Sequence, residues 1–126
     1  MTASRLKWLF GGMLVALLLL AAWNWQGILL GLAVASAEKR PALLDDADWE
    51  KPASARQFNA RFVSGAPESA LLDWLSANRF EVHRKDGRAE RRVRSLPCNE
   101  RIEISWTAKA KRLTAVSAMV REAGCL

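Results

Sequence analysis

The chain has 126 residues, 51% of them hydrophobic, with 19 basic and 13 acidic residues and a formal charge of +6. A single histidine excludes a multi-histidine metal centre, and two thiols with one imidazole fall short of the four ligands of a closed zinc site. The positive charge is modest and mixed with acids, unlike a nucleic-acid-binding tail, so no nucleic-acid partner is expected; with no catalytic or metal-binding constellation in the sequence, no cofactor is expected either.

The N-terminal part stands apart in composition. Arg5 and Lys7 are followed by 30 residues, Trp8 to Ala37, without a charge, and every acidic residue lies at or after Glu38. About 20 apolar residues cross a ~30 Å hydrocarbon core. A helix apolar on every side cannot be buried by a small domain, which points to the membrane. Residues 1–37 therefore read as a transmembrane anchor or signal segment. Trp8 at one end and Trp23 and Trp25 near the other suit the two interfaces, where indoles prefer to lie. Ala35-Ser36-Ala37 fits a small-x-small cleavage pattern, but the apolar stretch is about twice the usual signal-peptide core. A retained anchor is the expectation; the alternative is cleavage after Ala37 and secretion to the periplasm.

Arg5 and Lys7 on one flank oppose Lys39, Arg40 and Lys51 on the other, so charge alone does not orient the segment. The cysteines and the cleavage-like site favour export, with the C-terminal domain periplasmic or otherwise extracytoplasmic. No cysteine near the apolar segment offers a lipoprotein acylation site.

Residues 38–51 read as a linker. It holds Pro41 and the acidic Asp45, Asp46, Asp48 and Glu50, with Trp49 as the group able to tuck onto the domain. Residues 52–126 read as one small α+β domain, two short helices packed on an antiparallel sheet of three to four strands. Pro52 suits a first helical turn. Ala53 to Phe62 is then a short helix with Phe58 and Phe62 on one face. Pro67 and Glu68 open a second helix to about Ala77, with Ala70, Leu71, Trp74 and Leu75 as its buried stripe. Asn78 is the expected left-handed residue at its end.

Asp86-Gly87 is a two-residue hairpin signal. Counting outward pairs His83 with Glu90, Val82 with Arg91, Glu81 with Arg92 and Phe80 with Val93. Pro97 and Cys98 break the chain. Ile102, Ile104 and Trp106 alternate with Arg101, Glu103 and Ser105 in a strand, and Lys109 to Arg112 turns into a last strand, Leu113 to Arg121. Trp74 and Trp106 are expected to fill the core.

Cys98 and Cys125 flank the last hairpin, whose two ends come together, so a structural disulfide between them is expected. They form no CxxC redox motif. Arg84, Lys85, Arg88, Arg91, Arg92 and Arg94 cluster around the first hairpin. They read as a candidate anion-binding patch for lipid headgroups or a glycan, or as a solvated edge strand charged against aggregation. His83, with Glu90 opposite, has no nucleophile fixed beside it. Ser64, Ser69, Ser76, Ser105 and Ser117 carry no GxSxG elbow. No enzymatic activity is expected.

The stretch from Ser64 to about Met119 resembles the SmpA/OmlA family of small outer-membrane proteins. Gly65 before the helix Pro67 to Leu75, and Ile102-Glu103-Ile104-Ser105-Trp106 followed by a turn and Leu113, carry the likeness. The resemblance implies two helices on an antiparallel three-stranded sheet and an envelope-assembly accessory that works by protein contacts. The missing acylation cysteine, the long apolar segment and the Cys98/Cys125 pair depart from it. The functional expectation is a non-enzymatic, membrane-anchored envelope protein with a protein partner, or alternatively a module for anionic lipid or glycan.

Overall fold

The computed structural model describes residues 3–125, in two compact units that divide between Ser36 and Ala37. The first unit holds helix α1 (Ala3–Trp23) and helix α2 (Trp25–Ala35). At 1.5 Å per residue, the 21 residues of α1 extend about 31 Å. It is the one helix among the described residues long and apolar enough to cross a membrane, a property that signal sequences share. Trp8, Trp23 and Trp25 are all exposed on these helices.

The second unit is α+β. Helices α3 (Arg56–Arg61) and α4 (Glu68–Ala77) precede strands β1 (Glu81–His83), β2 (Arg88–Val93), β3 (Cys98–Lys109) and β4 (Arg112–Cys125). The sheet is antiparallel throughout, in the order β1-β2-β3-β4. Its inner face contributes Ala89, Val93, Ile102, Ile104, Trp106, Leu113, Ala118 and Val120 to the core. Phe58 of α3, Phe62 just after it, and Leu71 and Leu75 of α4 cover that face.

The expected helical faces are present. Phe58 and Phe62 are buried with ring centroids 5.0 Å apart. Trp74 meets them at 5.3 and 5.6 Å and Phe80 at 5.4 Å. Trp106 is buried, and its indole N–H donates to Glu68 Oε1 at 3.0 Å. The first helix is shorter than expected, because a 3₁₀ turn over Pro52–Ser54 precedes α3. Asn78 is not the left-handed residue that ends α4. Arg79 takes that role, with φ 60°. The Phe80 amide donates to the Leu75 carbonyl and the Arg79 amide to Ser76, a Schellman closure. The Asn78 side chain instead caps the Trp74 carbonyl.

Residues 38–51, expected to be a linker, pack into the domain. Leu44 is fully buried, and Pro41 and Ala47 are buried with it. Asp46 accepts from the Gln57 amide in the first turn of α3. Trp49 bridges to Val120, and the Glu50 amide donates to the Val120 carbonyl. At its other end β4 pairs with Gly65 and Ala66 through both backbone groups of Leu113. These contacts cover part of an edge strand that would otherwise expose a long row of unpaired groups.

The first hairpin differs from its expected register. The pairs are Glu81–Glu90, Val82–Ala89 and His83–Arg88. The turn is not the two residues Asp86-Gly87 but the 3₁₀ turn Arg84–Asp86 closed by Gly87 in the left-handed region. A Cβ on Gly87 would lie 2.2 Å from the Trp106 carbonyl oxygen, so contact with β3 sets this turn. Because the slip is two residues, each side chain keeps its face while its partner changes.

The second hairpin turns on Ala110 and Lys111, both at positive φ (51° and 62°). A two-residue loop with both residues left-handed is a type I′ turn, which favours Asn-Gly. Each residue with a side chain costs about 1 kcal/mol or more in that conformation. The double variant A110N/K111G should therefore raise stability by about 1–2 kcal/mol, read as a higher melting temperature of the detergent-solubilised chain. An unchanged or lower value would contradict the turn as described.

Candidate functional site

Along each strand the side chains alternate between the two faces of the sheet. Among the described residues no helix of this unit covers the outer face, and the pairing arranges its side chains into cross-strand rungs. His83, Arg88, Ser105 and Ser117 form the rung nearest the first hairpin turn. Glu81, Glu90, Glu103 and Met119 form the next. Arg92, Arg101 and Arg121 form the third, at the end where β2 leaves the sheet. The face is thus striped basic, acidic, basic. A depression of about 610 Å³ lies over the first two rungs and reaches Asp86 and Arg121 at its rim.

The six basic residues expected to form one patch are divided by the fold. Arg84 and Lys85 sit exposed in the turn, and Arg88 and Arg92 project from the outer face. Arg91 lies on the inner side, half-buried, and donates to the Asn78 carbonyl at 2.9 Å, tying β2 to the end of α4. Arg94 lies beyond β2, 82% exposed, 3.6 Å from Glu38. The protected-edge reading also fails for β2, which lies between β1 and β3. Arg101 and Arg121 were missed as members of a cluster. The alternation gave the outward direction of Arg101, but only the strand pairing sets Arg101 and Arg121 beside Arg92.

His83 does not pair with Glu90. Its Nε2 is 3.5 Å from Glu81 on the same strand, and no hydrogen bond joins it to Ser105 or Ser117 among the described residues. The rung supplies an imidazole, a guanidinium and two hydroxyls, all on an open face. That arrangement suits polar contact with a partner. It holds no nucleophile hydrogen-bonded to a base, the arrangement that activates a serine.

The strongest polar cluster lies on the inner face. Glu100 is 7% exposed and receives two hydrogen bonds from the Arg40 guanidinium, one from Nε at 2.6 Å. The Trp49 indole N–H donates to the same carboxylate at 2.8 Å. Arg40 also donates to the carbonyls of Leu44 and Ala47. The Arg40 hydrogen bond holds the Glu100 carboxyl below the usual carboxylate range; burial opposes this, and Trp49 and the Arg40 charge add to it. The same hydrogen bond raises Arg40 further above its already high value, again against burial. Every strong donor and acceptor here is used internally, so the cluster is a clamp that fastens residues 40–49 to β3.

Cys98 and Cys125 face each other across β3 and β4 and are joined as a disulfide. Glu122 lies beside them, but neither sulfur is free to bind a metal. No protein-family model matches this chain, and no curated protein or solved structure is significantly similar to it.

Proposed function

We propose that this is a membrane-anchored, non-catalytic accessory of the cell envelope, whose disulfide-stapled domain works by contact with another protein on the far side of the membrane. The observation that carries this reading is the uncovered sheet face. Among the described residues of this unit, nothing packs over the outer side of the four-stranded sheet, and it carries a broad depression with charges of both signs. A protein surface with matching charges can register on such a striped face, since electrostatic complementarity gives specificity and speeds encounter. The apolar helix and the disulfide support the address, because disulfides persist in oxidising compartments outside the cytosol. The resemblance of residues 64–119 to SmpA/OmlA domains points the same way.

The test is photo-crosslinking in cells. A crosslinking residue at Ser117, inside the depression, should give one reproducible adduct with an envelope protein. The same residue at Asp73, on the exposed side of α4, should not. Absence of any adduct at Ser117, or identical adducts at both positions, argues against contact through this face.

A further inference from the structure

Resting on the membrane-anchored reading above, we propose that the rung Arg92–Arg101–Arg121 docks the domain onto anionic phospholipid headgroups. Three arginines stand directly opposite one another on adjacent strands, about 4.8 Å apart. Like charges in that position destabilise a sheet. Solubility does not require them, because neutral polar residues serve on a solvated face. Edge protection does not require Arg101 either, since β3 is an interior strand. Only Arg121 has a carboxylate partner, Glu103 at 3.3 Å; Arg92 and Arg101 form no ion pair among the described residues. Guanidinium forks match phosphate oxygens in geometry as well as charge.

The position of the rung in the chain selects the source of the phosphate. The sheet is joined to the apolar segment at this same end, where the Glu38 amide donates to the Arg94 carbonyl at 2.6 Å. Only Ser36 and Ala37 lie between the last residue of α2 and Glu38. Three extended peptide units span at most about 11 Å, close to the ~10 Å over which salt screens a charge. Chain length alone therefore holds Glu38, and the Arg94 end of β2 bonded to it, within about 11 Å of the last residue of α2, and the rung begins two residues farther along β2. The acidic rung Glu81, Glu90 and Glu103 lies one step farther from this end, so headgroups meet the arginines first. Two acids lie at this end, Glu38, paired with Arg94 and followed by Lys39, and exposed Glu122, next to Arg121.

The experiment uses the full chain in lipid nanodiscs doped with a lipid bearing a paramagnetic headgroup. It reads relaxation enhancement at the backbone amides of residues 92, 101 and 121. Discs containing phosphatidylglycerol should give strong enhancement that high salt removes; pure phosphatidylcholine discs should give little. A basic residue near an anionic surface shifts the docked-to-undocked ratio about fivefold, so R92Q/R101Q/R121Q should lower that ratio on the order of a hundredfold. The matching lysine variant should retain most of it. Enhancement that is equal in both discs, insensitive to salt, or intact in the glutamine variant overturns the proposal. Because the arginines are surface residues, an unchanged amide spectrum away from the rung shows that the variants fold. Failure of the anchored reading would look different: intact mass of protein purified from cells would show the loss of residues 1–37, whatever the discs report.

Discussion

Glu100→Ala is expected to destabilise the domain by about 3–5 kcal/mol, the cost typical of breaking a buried ion pair by removing one partner. The residue is 7% exposed and accepts from both Arg40 and Trp49. Its loss leaves the part-buried Arg40 guanidinium, 19% exposed, and the Trp49 indole N–H without their acceptor, and a charge left unpartnered away from bulk water costs more than the net gain of the original bond. The effect should be local first. Residues 38–50 are held to the sheet mainly by this carboxylate, by Leu44 and by the Trp49–Val120 bridge. Hydrogen exchange should therefore accelerate in residues 38–50 before the sheet opens. The double variant R40M/E100L, which removes both charges and keeps apolar volume, should recover much of the loss. If Glu100→Ala leaves the melting temperature within a degree or two of the parent, the clamp is not what fastens this segment.

The same carboxylate makes stability depend on pH. Its folded-state pKa is depressed, chiefly by the Arg40 hydrogen bond. A depressed acid stabilises the fold fully above its unfolded value, near 4.5, and that contribution is lost as pH falls through the lower folded value. The stability gap between the parent and E100Q should be constant near neutrality and shrink below about pH 4.5. A gap that widens on acidification would reverse the sign and overturn the assignment.

Removing the disulfide should be nearly as costly. The cysteines are 27 residues apart in sequence. Closing a loop of that length lowers the entropy of the unfolded chain by an amount worth roughly 3–4 kcal/mol in the chain-entropy account. Cys125 is exposed and Cys98 half-buried, so serine in their place forfeits little packing. For a domain of this size a loss of that order lowers the melting temperature by about 15–25 °C. The variants C98S, C125S and C98S/C125S should fall by the same amount, because each removes the same crosslink. Reduction of the parent should reproduce the shift. Unequal single variants, or a parent indifferent to reductant, would show that the bond does not contribute in this way.

Some of the architecture was legible residue by residue. The stripe Ala70, Leu71, Trp74 and Leu75 and the alternation Ile102, Ile104 and Trp106 are local periodicities, and the fold keeps both. The pairing of Cys98 with Cys125 was legible only as a neighbourhood. Counted outward from the turn at Lys109–Arg112, Cys98 would face Ala123. An extra residue at Thr114 and a second between Glu122 and Cys125, where Gly124 takes φ 117°, shift β4 by two and bring the sulfurs together. The first hairpin was misread because the Asp86-Gly87 signal is local, whereas Gly87 is held by another strand: the Trp106 amide donates to its carbonyl at 2.8 Å, and the Trp106 carbonyl leaves no room for a Cβ. The segment 38–51 was misread for a related reason: the partner of Arg40 lies 60 residues away, and nothing near Arg40 announces it.

The sequence by itself determined the apolar N-terminal segment, the α+β class, the helical and strand faces and the proximity of the two cysteines. Each follows from period, composition or chain direction within one or two neighbouring elements. Tertiary structure decided which residues stand next to one another across strands. It dispersed the expected hairpin patch and assembled Arg92, Arg101 and Arg121 into a rung. Register depends on turn geometry and bulges that packing selects, and a shift of one or two residues leaves the pattern along a strand intact while replacing every lateral neighbour.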